Sequence, residues 1–223
     1  MINIAIDGPA GAGKSTIARK VAEQLSYIYV DTGAMYRAMA LYLHRKGIDA
    51  EDAETIAKVC GDVQISIEFQ DGEQAVILEG ENVNPFLRTQ EVSEMASRSS
   101  AVKEVREHLV ELQRKLAREQ NVVMDGRDIG TVVLPGTQVK IYLTASVGVR
   151  AKRRFMELKE KGETVSYEEI AEEISQRDRR DMTREVSPLR KAEDAVLVDS
   201  SDMLIDEVTA CILQIIEEKT AIG

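Results

Sequence analysis

Short apolar runs alternate with stretches of helical periodicity along most of the chain. Five of the runs are brief and rich in Val and Ile, as expected of strands that are covered on both faces. These predicted strands are Ile2–Ile6, Tyr27–Val30, Val122–Met124, Val139–Leu143 and Ala195–Val198. Between them, apolar side chains recur every three or four positions and predict amphipathic helices. The apolar stripes are Ile17, Val21 and Leu25; Met35, Met39 and Leu43; and Leu204, Val208, Cys211 and Ile215. This alternation is typical of an α/β fold with a parallel sheet, and it predicts that Cys211 is buried.

One segment departs from this rhythm. Val63, Ile65, Ile67 and Phe69 alternate with polar residues, and Asp71-Gly72 follows as a tight-turn signal, which predicts a β-hairpin. A two-residue loop there sets Val76 opposite Ile67 and Leu78 opposite Ile65, so that both pairs share one apolar face.

The hairpin belongs to an antiparallel unit of roughly Asp62–Val83, and two helical stretches, Arg88–Ser97 and Val102–Glu119, follow it. The local pattern fits a surface decoration as well as a substrate-binding insert.

Charge and composition narrow the classes of function. The 223 residues contain 29 Lys and Arg against 39 Asp and Glu, a net charge of −10, which argues against a general nucleic-acid or anionic-membrane binder. No apolar run approaches the roughly 18 residues of a membrane span, and the first strand lacks the basic start of a signal peptide. Two Cys and two His in separate segments make neither a disulfide framework nor a zinc cluster. We therefore expect a cytoplasmic protein without nucleic-acid or membrane partners.

A phosphate-binding loop follows the first strand and opens the first helix. The segment Gly8–Ser15 fits G-x-x-x-x-G-K-[ST], whose small residues let backbone N–H groups wrap a phosphate. Lys14 is expected to reach the β- and γ-phosphates, and the Ser15 hydroxyl to ligate Mg²⁺. The sequence therefore predicts binding of ATP with Mg²⁺. The predicted ATP-binding residues of the loop are Gly8, Pro9, Ala10, Gly11, Ala12, Gly13, Lys14, Ser15 and Thr16.

Polar segments after the second and third strands indicate an acceptor for the phosphoryl group. After the second strand, Asp31 or Thr32 can cap the next helix, and Arg37 lies where a guanidinium could bind a phosphate; cap and site remain equally open. Asp125-Gly126-Arg127-Asp128 follows the third strand, where ligands of open α/β sheets collect. Asp125 is a candidate carboxylate just outside the direct ligands of Mg²⁺, although a turn with local ion pairs also fits.

The densest charge cluster lies between Arg177 and Arg184. On a helix, Arg177, Asp181 and Arg184 would share one face. Residues 145–191 carry 12 Lys and Arg against 10 Asp and Glu, whereas residues 192–223 carry one Lys against eight acidic residues. Basic charge is thus concentrated where a polyphosphate would need it, which favours a site over a solvated face. Arg150, Arg153 and Arg154 add to this cluster.

Together, in this order, these motifs resemble the bacterial cytidylate kinases of the nucleoside-monophosphate kinase group. The resemblance rests on Gly8–Thr16, Asp31–Arg37, Arg88–Val92, Asp125–Val133 and Arg177–Asp181 and spans nearly the whole chain. It implies a three-layer P-loop fold with a five-stranded parallel sheet, a small antiparallel acceptor-binding insert and a short lid. In one kinase domain, the core would span about 1–60, 120–145 and 192–223, the insert about 61–119, and the lid with its Arg-rich helices about 146–191.

The resemblance also implies roles for individual residues in transfer from ATP to CMP or dCMP. Cytosine would be read by Ser97, Arg106 and Asp128, because a carboxylate accepts from the N4 amine whereas the O4 of uracil leaves two acceptors facing each other. Ribose would contact Arg177 and Asp181, with Thr32 nearby. The acceptor phosphate would be held by Arg37, Arg127 and Arg184, and the donor covered by Arg150, Arg153 and Arg154.

Two other functions remain open: a P-loop kinase for another small acceptor, and an ATP-binding regulator that transfers nothing. A monomer is expected, with small-molecule nucleotides as its partners.

Overall fold

The computed structural model describes residues 1–70 and 73–221. Its strands are β1 (Asn3–Asp7), β2 (Ile28–Asp31), β3 (Ile65–Gln70), β4 (Glu73–Leu78), β5 (Glu81–Asn82), β6 (Val122–Gly126), β7 (Val139–Thr144) and β8 (Val196–Asp199). Its α-helices are α1 (Lys14–Leu25), α2 (Thr32–Arg45), α3 (Ala53–Val59), α4 (Gln90–Ser99), α5 (Lys103–Glu119), α6 (Val147–Glu160), α7 (Tyr167–Thr183) and α8 (Ile205–Thr220).

Five strands form a parallel sheet in the order β2-β6-β1-β7-β8. All five strands predicted from the apolar runs are confirmed, with bounds that differ by one or two residues. β1 pairs with β7 from Ile4 opposite Val139 to Asp7 opposite Tyr142, and β7 continues the sheet to β8. β1 therefore ends at Asp7, directly before the phosphate loop.

The antiparallel unit is a three-stranded sheet in the order β3-β4-β5. Its register is the predicted one, with Ile65 opposite Leu78 and Ile67 opposite Val76. The predicted turn residues Asp71 and Gly72 lie outside the described residues. Strand β5 was not foreseen because its two exposed residues carry no apolar alternation. The two helices expected after the hairpin are α4 and α5.

The apolar stripes mark the buried faces of α1 and α2 but not that of α8. Met35, Met39 and Leu43 of α2 are fully buried. In the C-terminal helix the buried apolar residues are Val208, Ile212 and Ile216, whereas Leu204 precedes the helix and is exposed. The buried face is thus turned by one position, and the prediction that Cys211 is a core residue is wrong because its side chain is only half buried.

Two compact units divide the chain: Met1 with Tyr27–Val122, and Ile2–Ser26 with the residues from Val123 onward. In the first, α2 packs against α4 and β4; in the second, α8 packs against α1 and β7, and α6 packs against α7. The insert and lid boundaries of the sequence analysis stay predictions. Within the described ranges, no helix is both long and apolar enough to cross a membrane.

Candidate active site

The phosphate loop of the second unit connects β1 to α1. Its first glycine, Gly8, has φ +154°, and a Cβ there would overlap the carbonyl oxygen of Leu143 in the neighbouring strand, so the position requires glycine. Gly13, at φ +86°, is the residue before α1, and no side chain of the described residues caps the first turn of the helix. Backbone N–H groups at this helix start can therefore receive a phosphate.

Lys14 is buried at the start of α1, and its Nζ donates to the carbonyl oxygen of Pro9 at 2.7 Å. Burial, together with repulsion from the Arg127 guanidinium, lowers the pKa of the Lys14 ammonium to about 7, although nearby carboxylates oppose this shift. Bound phosphate would add negative charge beside Lys14 and favour its protonated form.

Ser15 and Asp125, the two residues predicted to lie at Mg²⁺, lie together. The Ser15 hydroxyl donates to Oδ2 of Asp125 at 3.0 Å, and Asp125 is buried at the end of β6. A hydroxyl and a carboxylate are oxygen ligands of the kind that Mg²⁺ prefers, and Mg²⁺ usually takes its remaining ligands from phosphates and water. The described residues hold no cluster of three or more His, Cys, Asp or Glu that could bind a metal by themselves. The pair thus fits Mg²⁺ bound together with a nucleotide.

Asp181 is the centre of an arginine cluster at the end of α7. Arg127 Nε donates to its Oδ2 at 2.9 Å, and Arg184 NH1 lies 3.8 Å from its Oδ1. Burial alone would raise the pKa of the Asp181 carboxyl, but the guanidinium groups of Arg127, Arg177 and Arg184 hold this pKa below its usual range. Although burial by itself lowers the pKa of Arg127, attraction to Asp181 raises it overall. The cluster therefore keeps its charges.

Arg184 belongs to this cluster for a reason other than the predicted one. Helix α7 ends at Thr183, and Arg184 has extended backbone with ψ 144°, so it does not share a helical face with Arg177. Its Nε donates to the carbonyl oxygen of Ser187 at 2.8 Å, and its side chain is largely buried. The charges converge as expected because the chain turns back after the helix.

Asp7 is a buried residue that the sequence analysis missed. Its two carboxylate oxygens accept from the backbone N–H groups of Ile129 (2.8 Å) and Gly130 (2.7 Å), at the start of a π-helical turn spanning Ile129–Val133. Burial raises the pKa of the Asp7 carboxyl to about 6, against the opposing effect of these two hydrogen bonds. Asp7 thereby ties the end of β1 to the segment that carries Arg127 and Asp128. Its position before the loop motif was the only signal in the sequence.

Asp178 is a second missed residue, and it engages one of the predicted lid arginines. Arg150 is buried and donates from NH2 to Asp178 at 2.6 Å, from NH1 to the Ala10 carbonyl and from Nε to the Ala145 carbonyl. Arg153 instead donates to Ser200, and Arg154 is an exposed partner of Glu157. Contact of these three arginines with ATP stays a prediction.

In the first unit, Asp31 is both a helix cap and an ion-pair partner. Its carboxylate accepts from the backbone N–H of Ala34 at 2.9 Å and binds Arg37 NH2 at 3.0 Å, so the cap and a charged pair coexist at the start of α2. The side-chain amide of Gln74 accepts from the Asp31 N–H at 2.7 Å and donates to the Asp31 carbonyl at 3.3 Å. Thr32, the next residue, is buried.

Arg106 and Ser97, predicted to read the base, lie on α5 and α4 of the same unit. Arg106 is buried, stacks over the ring of Tyr36 at 5.2 Å from its centroid, and donates to the Ser100 carbonyl at 3.1 Å. The Ser97 hydroxyl is buried and has no hydrogen-bond partner among the described residues. A buried polar atom without a partner is costly unless a ligand supplies one. Asp128, the third predicted base reader, is a buried residue of the second unit.

Known proteins resemble this chain over its whole length. A family model described as cytidylate kinase matches residues 4–218. A cytidylate kinase of Caldicellulosiruptor bescii is 52% identical over 214 residues, which cover 96% of this chain and 95% of that protein. A cytidylate kinase of Carboxydothermus hydrogenoformans is 51% identical, with 98% of each chain covered.

A solved structure adds a likeness in fold alone. The crystal structure of an uncharacterized protein from Eubacterium ventriosum matches with a TM-score of 0.52 at 14% identity, over 97% of this chain and 98% of its own. The fold, the phosphate loop and the sequence relatives agree, and the chain belongs to the cytidylate kinase family.

Proposed function

We propose that the protein transfers the γ-phosphoryl group of ATP to CMP or dCMP and releases ADP with CDP or dCDP. The observation that carries the proposal is the proximity of the phosphate loop to the arginine cluster in the second unit. The Ser15 hydroxyl of the loop donates to Asp125 at 3.0 Å, and Arg127, two residues after Asp125, binds Asp181 at 2.9 Å. A kinase needs this pairing because donor and acceptor phosphates both carry negative charge and must approach each other.

The chemistry requires positioning rather than a strong base. The second pKa of a phosphomonoester is about 6, so the attacking oxygen of CMP is mostly deprotonated at neutral pH. That oxygen forms a bond to the γ-phosphorus of ATP while the bond between this phosphorus and the β,γ-bridging oxygen breaks. In this proposal Lys14 binds the donor, and Arg37, Arg127 and Arg184 bind the acceptor phosphate and reduce the repulsion.

Donor binding would use the loop residues Gly8–Thr16, with Arg153 and Arg154 covering the phosphates. Arg150 would contact ATP through the N–H groups that remain beside its three protein acceptors, because a guanidinium has five. Ser15 would ligate Mg²⁺ and Asp125 would support it from nearby, and the ion would neutralise charge on the phosphates.

Acceptor selection would use the residues that the family resemblance assigns to the base and the ribose. Asp128 would accept from the cytosine N4 amine, and Arg106 and Ser97 would complete the contacts with the base. Arg177 and Asp181 would bind the ribose, and Thr32 is a further candidate for acceptor contact. The Ser97 hydroxyl supports the assignment to the base, because CMP would give it the hydrogen bond that the described residues do not.

Release of ADP with Mg-ATP and each of CMP, dCMP, UMP, AMP and GMP tests the proposal. We expect strong release with CMP or dCMP, weak release with UMP and none with the purine nucleotides. Transfer only to a different small acceptor, or ATP binding without any transfer, would contradict it and favour one of the two other functions. Light scattering of the same preparation would test the expected monomer.

A further inference from the structure

One residue of the phosphate loop, Ala10, is held through both of its backbone polar groups by an ion pair. The Ala10 carbonyl accepts from Arg150 NH1 at 2.7 Å, and the Ala10 N–H donates to Oδ1 of Asp178 at 3.4 Å. Arg150 and Asp178 also bind each other, with 2.6 Å between NH2 and Oδ2, and both residues are buried. The middle of the loop is thus fixed to side chains far away in the sequence.

The helices that carry this ion pair form their own small core. Ala151 and Leu158 of α6 pack against Ile170 and Ile174 of α7, and all four are buried. The phosphate loop packs directly against α6, because a Cβ added to Gly11 would lie 3.3 Å from the Cβ of Arg150. A buried, charge-assisted pair with this support has little freedom to move.

Helix α7 carries a second buried carboxylate, that of Asp181, which binds a different partner. Asp181 lies three residues after Asp178, hence on the same helical face, and binds Arg127 rather than the loop. One face of α7 therefore carries a carboxylate for the phosphate loop and another for the arginines that we assign to the acceptor.

We infer that Asp178 is a positioning residue for the ATP phosphates, acting through Arg150 and the backbone of Ala10 to hold the phosphate loop in its binding shape. The inference deepens the proposed function and rests on it only for the identity of the acceptor. If the ion pair only stabilised the fold, its loss would change the affinities for ATP and for CMP alike, whereas a positioning role predicts a change for ATP alone. Loss of Asp178 should weaken ATP binding and leave CMP binding nearly unchanged.

The direct test is Asp178→Asn, with calorimetric titration of Mg-ATP and of CMP separately, well below the unfolding temperature. Asn keeps an oxygen for the Ala10 N–H but removes the charge that Arg150 binds. We expect the Kd of Mg-ATP to rise about tenfold and that of CMP to change less than twofold. The matched control is Asp206→Asn, which removes an exposed ion pair with Lys20 in the same unit and should change neither Kd.

Arg150→Lys tests the ion pair from its other side. Lysine keeps the positive charge opposite Asp178 but cannot reach three acceptors at once, so a selective loss of ATP affinity is again expected. Because Arg150 is itself assigned to ATP, this loss is read through the double variant, which should bind ATP no more weakly than the weaker single variant if Asp178 acts through Arg150. If Asp178→Asn does not fold, Asp178→Glu, which keeps the charge but displaces the carboxylate, carries the test with the same expected loss for ATP alone.

Unchanged ATP affinity in a folded variant, equal losses for ATP and CMP, or additive losses in the double variant would overturn the inference. ATP binding by the unaltered protein without transfer to CMP would contradict the proposed function alone, since the Kd of Mg-ATP can still be compared between variants.

Discussion

The two units differ in the kind of polar group that their site residues supply. In the second unit they are mainly charged groups held by protein partners: Lys14 binds the Pro9 carbonyl, Arg127 binds Asp181 and Arg150 binds Asp178. In the first unit Arg37 likewise binds Asp31, but Ser97 carries a neutral hydroxyl that is buried and, within the described residues, has no hydrogen-bond partner.

This difference suggests a division of labour between the units. In the second unit carboxylates and carbonyl groups hold the cations in place, and electrostatic stabilisation of phosphoryl transfer requires charges fixed in this way. The first unit keeps polar atoms whose hydrogen bonds a ligand would complete, and such atoms favour a ligand with matching groups. Substitutions of charged residues in the second unit and of Ser97 in the first should therefore affect different properties of the protein.

The largest effect is expected from Arg127→Ala. The change removes a cation that we assign to the acceptor phosphate and leaves Asp181 with less compensation, so kcat/KM should fall about 1,000-fold or more and stability should fall as well. Steady-state kinetics with CMP and thermal unfolding measure the two effects. Arg179→Ala, an exposed change on the same helix, is the control. Activity within tenfold of that control would contradict the role of Arg127.

Asp7→Asn tests a buried carboxylate of the second unit through the pH dependence of the free energy of unfolding. The folded-state pKa of Asp7 is about 6 against 3.8 as its ordinary value, so the folded state binds the extra proton between these pH values. The contribution of Asp7 to the free energy of unfolding should therefore fall by about 2 kcal/mol as pH rises from 4 to 6. Urea unfolding of both proteins across this range gives the difference.

The control for this pH dependence is Asp199→Asn, because its exposed carboxyl has a pKa below the usual range, which reverses the sign of its contribution. A difference between the unaltered protein and Asp7→Asn that does not vary with pH would show that Asp7 is not held as the structure indicates.

Asp128→Ala should reduce discrimination rather than overall activity. Without the carboxylate, CMP loses its partner for N4 and UMP loses an unfavourable pairing, so the ratio of kcat/KM for CMP over UMP should fall by about tenfold or more. The KM for ATP serves as the internal control and should stay within twofold. An unchanged ratio would exclude Asp128 from base recognition.

The smallest effect is expected from Ser97→Ala. Because its hydroxyl lacks a partner among the described residues, the unfolding temperature should not fall, whereas kcat/KM for CMP should drop by about fivefold. Ser100→Ala is the matched opposite, since the Ser100 hydroxyl donates to the Ser97 carbonyl and its loss should lower stability. The assignment fails if Ser97→Ala reduces stability and leaves CMP kinetics unchanged.

Much of the fold followed from local patterns. The hairpin register could be predicted because a two-residue loop and a period of two leave one pairing that puts Ile65 and Leu78 on the same face. The buried face of α8 could not be derived in the same way, because Leu204 satisfies the periodicity although it precedes the helix. Apolar spacing gives the period of a helix, but where the helix starts decides which face packs.

Site residues also divide into those that a local motif predicts and those that only distant partners define. Lys14, Ser15 and Asp125 could be found because a loop motif and strand ends carry their chemistry locally. Asp7 and Asp178 could not, since a lone aspartate acquires its role only from backbone groups more than a hundred residues away, at Ile129 and Ala10. The spacing of residues along the sequence does not predict partners this far apart.

The amide of Gln74 covers part of one edge of the parallel sheet. β2 is an edge strand of the parallel sheet, and edge strands are sites where chains add to one another and aggregate. By binding both the N–H and the carbonyl of Asp31, Gln74 occupies the last backbone positions of that edge in the way a neighbouring strand would. A single glutamine side chain thus takes the two hydrogen bonds that a second chain would need in order to pair with Asp31 at this edge.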